Sequence, residues 1–172
     1  MRSLALFLCS ASLLLADQAG GIKWTAPAAW KAQPGRPMRA ATYTVPPAAG
    51  DSEAGEVAVF YFGPGQGGGV EANIQRWVGQ FQTADGKPAA GKEKIAKRSV
   101  NGIPVTTIDL NGTYTAAGGP MATTKSNKTN YRLLGAIAEG AQGAVFFKLT
   151  APAKTAAANQ ATFDTMILSL TK

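Results

Sequence analysis

The sequence predicts an α+β fold, with one antiparallel sheet of about six or seven strands and two helices packed on it. Three observations carry that prediction. Apolar runs of strand length follow one another across short turns, which forces neighbouring strands to run antiparallel. An Asn-Gly pair, Asn101 and Gly102, marks a tight hairpin between two of those runs. Two segments, residues 70–82 and the stretch from about Thr155 onward, instead carry apolar residues at helical spacing.

Residues 22–30 read as a first strand with an irregular exit at Pro27, Trp24 and Trp30 being natural core plugs. Residues 40–45 read as a second strand stopped by Pro46 and Pro47, and residues 48–55 as a turn. In 56–62, Val57, Val59 and Tyr61 alternate with Ala58, Phe60 and Phe62. Both faces of that run are apolar, so the strand is expected to be central and covered on both sides. Glycines at 63, 65, 67, 68 and 69 lead into the helix over 70–82, whose apolar face is Val70, Ile74, Trp77, Val78 and Phe81. Glu71 suits the positive end of its dipole. Residues 85–91 read as a loop, 93–100 and 103–115 as the hairpin around Asn101-Gly102, and 116–129 as a polar, glycine-bearing loop. Residues 131–138 and 144–150 form another hairpin with Gly140 and Gly143 in its turn. Beyond Pro152 the last helix brings Phe163, Met166, Ile167 and Leu170 onto one face.

The first 16 residues read as a secretory signal peptide. Arg2 supplies a positive start, residues 4–16 are apolar, and Ala16 is a small residue at the scission point. The apolar stretch falls short of the roughly 20 residues that a membrane-spanning helix needs. Leu14 is larger than the small residue preferred three positions back, which leaves an uncleaved membrane tether as an alternative. Cys9 follows Phe7 and Leu8 inside the stretch, unlike a lipid-attachment cysteine, which follows a small residue at its end. Residues 17–172 then make a single domain, long enough to bury roughly two-thirds of its unfolded surface without disulfides.

Removing the signal takes away Arg2 and the sole cysteine, leaving a formal charge of +6 and no histidine or cysteine. Serine-histidine triads and zinc held by imidazole or thiolate are thereby excluded, and no segment concentrates oxygen ligands as a calcium loop does. A basic exported chain meets polyanionic polysaccharide, lipid headgroups or wall polymers before nucleic acid. Its cluster of Lys92, Lys94, Lys97 and Arg98 is explained by a solvated strand edge, where lysine discourages sheet-to-sheet pairing.

Gly63-Pro64-Gly65-Gln66-Gly67-Gly68 is a literal G-x-G-x-x-G. The dinucleotide fingerprint also needs a parallel βαβ unit and an acidic residue after the next strand, where this chain is basic. A turn that lets the helix start lie near the sheet suffices to explain it. The helix start also offers free N–H groups for a phosphate or carboxylate, which makes Gly67, Gly68, Gly69, Asn73 and Arg76 the candidate anion or partner contacts. Ser169 to Lys172 spells S-x-x-K, but at a fraying terminus and without its companion motifs. Trp77, Tyr61 and Tyr131 read as packing residues. Asp109, Glu139, Asp164 and other carboxylates could meet in space as a hydrolase pair, although no spacing brings two of them together.

The Trp24-Pro27-Trp30 opening, the glycine-rich loop feeding residues 73–77, the strand beginning Asn101-Gly102-Ile103-Pro104, and residues 146–152 ahead of a helix bearing Phe163-Asp164 resemble a group of uncharacterised exported bacterial proteins of PsbP-like fold, an α/β/α sandwich. The resemblance implies a binding role, since one branch of that fold caps the oxygen-evolving side of photosystem II and another binds a small GTPase in nuclear transport. Metal and subunit contacts made by histidine in the photosystem branch have no counterpart here. The resulting expectation is a non-catalytic binding or accessory protein, periplasmic or extracellular, without cofactor. Its partner would be an envelope protein or a polyanionic ligand, with no nucleic acid, and any membrane contact would come only through an uncleaved N-terminus. The alternatives are a carboxylate-dependent hydrolase acting on an envelope polymer and a membrane-tethered structural envelope protein.

Overall fold

A computed structural model describes residues 17–115 and 127–172. The expected signal peptide, residues 1–16, and residues 116–126 of the expected polar loop lie outside the described residues. Two short strands, β1 (Asp17–Ala19) and β2 (Ile22–Trp24), form a hairpin of their own. The main sheet begins with β3 (Lys31–Ala32), β4 (Ala41–Val45) and β5 (Gly55–Tyr61), followed by helix α1 (Val70–Val78) and β6 (Phe81–Gln82). It continues through β7 (Lys94–Val100), β8 (Ile103–Tyr114), β9 (Lys128–Gly140) and β10 (Gly143–Pro152), and the chain closes with α2 (Ala153–Ala158) and α3 (Gln160–Leu168). Strand order is β3-β4-β5-β10-β9-β8-β6, with β7 also paired to β8, and the pairings are antiparallel.

The antiparallel α+β expectation holds, but its counts need correcting. Among the described residues the main sheet has eight strands rather than six or seven, beside the small two-stranded hairpin, and there are three helices rather than two. The last helical segment divides at Asn159, whose side-chain amide donates to the Thr155 carbonyl and whose Oδ1 accepts from Trp30 Nε1 at 2.9 Å. The first strand, expected over residues 22–30, is shorter: β2 ends at Trp24, and residues 25–30 leave its ladder. The helix expected over 70–82 ends at Val78. Gly79 caps it, and Phe81 and Gln82 pair with Tyr114 and Thr113 instead. Strand β9 begins at Lys128, inside the segment expected to be loop. The Asn-Gly hairpin forms as expected, both residues having positive φ (49° and 77°), the backbone that a two-residue turn requires.

The alternation of β10 explains the layering. Val145, Phe147 and Leu149 point to one face, where they join Val57 and Val59 of β5, Ala136 and Ala138 of β9, and Phe163, Met166 and Ile167 of α3 in the larger core. Trp24 meets Phe147 edge-on there, with ring centroids 5.2 Å apart. Phe146 points the other way into a second core with Ile108, Leu133, Ile137 and the α1 residues Ile74, Trp77 and Val78. Gly135 is what lets α1 lie flat on that face, since a Cβ there would come within 2.6 Å of the Trp77 ring. Because α1 spans only nine residues, it covers β8, β9 and part of β10. Among the described residues, the β4–β5 end of this face carries no helix. That corrects the expectation of a β5 covered on both sides: Val57 and Val59 are fully buried, whereas Glu56 and Phe60 on the opposite face are only partly so.

Candidate functional site

The part of the second face that no described helix covers forms the floor of a cavity of about 620 Å³. Strand register builds it. Ala58 on β5 stands opposite Lys148 on β10, and Glu56 opposite Thr150, so these four side chains share one face. Ala58 contributes only a methyl group, which leaves the space open. The walls come from the end of α1 at Gly79 and Gln80, from Phe60, and from Tyr114 of β8 and Tyr131 of β9.

Lys148 is the unusual member. Its side chain is 8% exposed, its ammonium donates to the Gln80 Oε1, and it lies 5.2 Å from the centroid of the Tyr114 ring. No carboxylate within salt-bridge distance balances it among the described residues. Burial strips water from the ammonium and lowers its pKa to about 8. The negative charge of Glu56 raises it in part, and Arg39 adds to the lowering. The neighbouring charges are arranged differently. Arg39 and Arg36 both donate to the single carboxylate of Glu56, at 2.8 and 3.2 Å, and the Arg39 guanidinium also sits 5.5 Å from the Phe60 ring centroid. At the far rim, Glu53 accepts from Lys128 and, at 2.6 Å, from the Tyr131 hydroxyl. These donors hold its carboxyl below the usual range, with Lys128 the larger influence. Tyr114 stacks on Tyr131 with centroids 6.1 Å apart, and burial raises its phenol pKa.

Of the residues the sequence nominated, Asn73 and Arg76 reach this region and the glycines do not. Asn73 and Arg76 line a side cavity of about 210 Å³ that shares Phe60, Gln80 and Lys148 with the larger one. Gly67, Gly68 and Gly69 line neither cavity. Their carbonyls are gathered by the buried Asn73 amide, which donates to Gly67 at 2.8 Å and Gly69 at 2.9 Å, while its Oδ1 accepts from Arg76 Nη1 at 2.9 Å. Asn73 thus fastens the glycine loop to the helix and orients Arg76. Replacing it with alanine leaves these carbonyls without their donor and is expected to cost about 2 kcal/mol, read as a lowered urea midpoint. An unchanged midpoint would show that the amide does not hold the loop.

The candidate hydrolase carboxylates are partly brought together. Asp109 and Asp164 line one cavity of about 180 Å³, whereas Glu139 lies elsewhere, beside Arg98 and Lys97. Asp109 is gripped by Arg132 in a two-pronged pair at 2.8 Å, and Asp164 lies 3.8 Å from Arg98. Among the described residues no three acidic, histidine or cysteine side chains come together as a metal-holding group, and no helix is long and apolar enough to cross a membrane.

Lys148, Arg39 and Glu56 were missed in the sequence. One signal existed: Lys148 interrupts the apolar run Phe146-Phe147-Lys148-Leu149, and a lysine inside a buried strand needs a reason to be there.

The chain is similar in fold to the solution structure of cyanobacterial PsbP (CyanoP) from Synechocystis sp. PCC 6803. It superposes with a TM-score of 0.55 over 95% of this chain and 98% of that one, at 11% sequence identity. The fold is PsbP-like, and at that identity the likeness concerns the fold alone. No protein-family model matches the sequence, and no curated protein does either.

Proposed function

We propose that this chain is an exported, non-catalytic binding or accessory protein of the periplasm or cell envelope. Residues 1–16 act as its signal peptide, residues 17–172 as one PsbP-like domain, and the half-open sheet face recognises the partner. The observation that supports this most directly is Lys148, a buried ammonium facing a cavity of about 620 Å³ with an amide and a ring for company. A charge kept in so unfavourable a place costs stability, and such sites concentrate where function requires them. The carboxylates nearby argue against acid–base work, because Glu56 and Glu53 are each held by arginine or lysine. Asn73 and Arg76 enter this reading as the flank of the same surface, with Arg76 a further cation at its edge and the Gly67–Gly69 loop fastened behind them by Asn73.

Capture from envelope extract by the mature protein tests the reading. The wild-type chain is expected to recover a partner or polyanion that the Lys148→Met and Arg39→Gln variants do not, and mass spectrometry of the exported protein is expected to place the N-terminus at Asp17. Equal capture by all three proteins would remove the sheet face from the account, and an intact Met1 would support a tether. The hydrolase reading draws on the shared cavity of Asp109 and Asp164. Turnover of an envelope polymer that disappears in Asp164→Asn would establish it instead.

A further inference from the structure

We infer that the occupant of the sheet-face cavity is a small organic acid with a flat, ring-bearing body, its anionic head held between Lys148 and Arg39 and its body against Phe60, Tyr114 and Tyr131. This rests on the reading of that face as the recognition site.

The sign of the ligand follows from counting charges at the floor. Among the described residues, Arg39 and Arg36 share one carboxylate, Glu56, Lys148 has no carboxylate within salt-bridge distance, and Lys128 and Glu53 cancel at the rim. An ammonium has three donors, and Lys148 uses one on Gln80. An anion completing that set makes a charge-assisted bond roughly twice as strong as a neutral one. Its position follows from the register. Arg39 reaches over β5 to touch both Glu56 and Phe60, the residues on either side of Ala58, and Ala58 is the cross-strand neighbour of Lys148. An anionic group above the Ala58 methyl is therefore flanked by a guanidinium and an ammonium.

The body of the ligand follows from the walls. The cavity's cations sit over rings, Arg39 over Phe60, Lys128 over Tyr131 and Lys148 over Tyr114. Rings interleaved with cations suit a flat, polarisable group, which gains from edge-to-face contact with the rings and from the cations beside it. A volume of about 620 Å³ falls within the range of small-molecule sites and far exceeds what a bare inorganic anion fills.

Titration calorimetry with three probes tests the inference: phenyl phosphate, inorganic phosphate and benzyl alcohol. Phenyl phosphate is expected to bind at least about tenfold more tightly than either of the others, and Lys148→Met and Arg39→Gln each to weaken it about tenfold. Backbone amide shifts on phenyl phosphate binding should cluster on β5 and β10. Equal affinity for inorganic phosphate removes the ring-bearing body, and equal affinity for benzyl alcohol removes the anionic head. An acidic polysaccharide that displaces phenyl phosphate and binds more tightly would replace the small acid with a polymer. If no probe binds while Lys148→Met still abolishes partner capture, the ligand class is wrong and the recognition face stands. If neither effect is seen, both fail.

Discussion

Lys148→Met is expected to make the folded protein more stable at pH 7, by about 3 kcal/mol, while it disables the cavity. The sign comes from linkage. The Lys148 pKa falls from 10.5 to about 8 in the folded chain, so between those values the unfolded chain binds a proton that the folded chain has released. Stability therefore rises with pH across the window from about 8 to about 10.5, and below it the folded state carries the full cost of a desolvated ammonium. Methionine has similar length and no charge, and it fills the same space against Ala58 and Tyr114. The Gln80 contact and the Tyr114 ring contact that it forfeits offset part of the gain. Urea denaturation at pH 7, 8.5 and 10.5 should show the variant ahead by the largest margin at pH 7, with the margin closing as the wild type gains stability. A variant less stable than wild type at pH 7 would mean that the ammonium is structurally satisfied, and the strongest reason for placing function in this cavity would be gone.

The same residue shows what the sequence could and could not disclose. Local chemistry was legible. Asn101-Gly102 dictated its hairpin because few other pairs accept two positive φ values in succession, and Trp77 belonged to the core because Ile74 and Val78 share its face. Misreadings arose where a non-local pairing competed with a local pattern. Phe81 continues the helical stripe of α1 by spacing, yet Gly79 ends the helix and Phe81 packs on Tyr114 at a 5.2 Å centroid separation. Strand β5 looked covered on both faces because Ala58, Phe60 and Phe62 are apolar. The helix able to cover its second face is too short to do so, a fact about the placement of α1 that no β5 residue encodes. The site itself is assembled from positions 39, 56, 80, 114, 131 and 148, which come together through the β5–β10–β9–β8 register. Asn73 was nominated for the right neighbourhood, but its chemistry is turned inward, toward the loop carbonyls.

Phe147→Ala is expected to produce the largest loss of stability, about 3–5 kcal/mol, which for a chain of this size lowers the melting temperature by roughly 10 °C or more. Phe147 is fully buried at the centre of the larger core, between β5 and β9 in the sheet and edge-on to Trp24. Removing the ring leaves a void that Val59, Ala136 and Trp24 cannot close without moving the strand ladder or the β1–β2 hairpin. Because β10 alternates, Phe147 points away from the cavity even though it adjoins Lys148 in sequence. Below its lowered melting temperature the variant should thus bind phenyl phosphate within about twofold of wild type, since the two faces of the strand have no side chain in common. Phe146→Ala is the contrast. Its ring faces α1 and lines the side cavity with Arg76 and Lys148, so it should lose stability and affinity together. If Phe147→Ala weakened binding as severely as Phe146→Ala, the floor of the site would be yielding as a unit with the core behind it. The separation of β10 into a packing face and a recognition face would then be wrong.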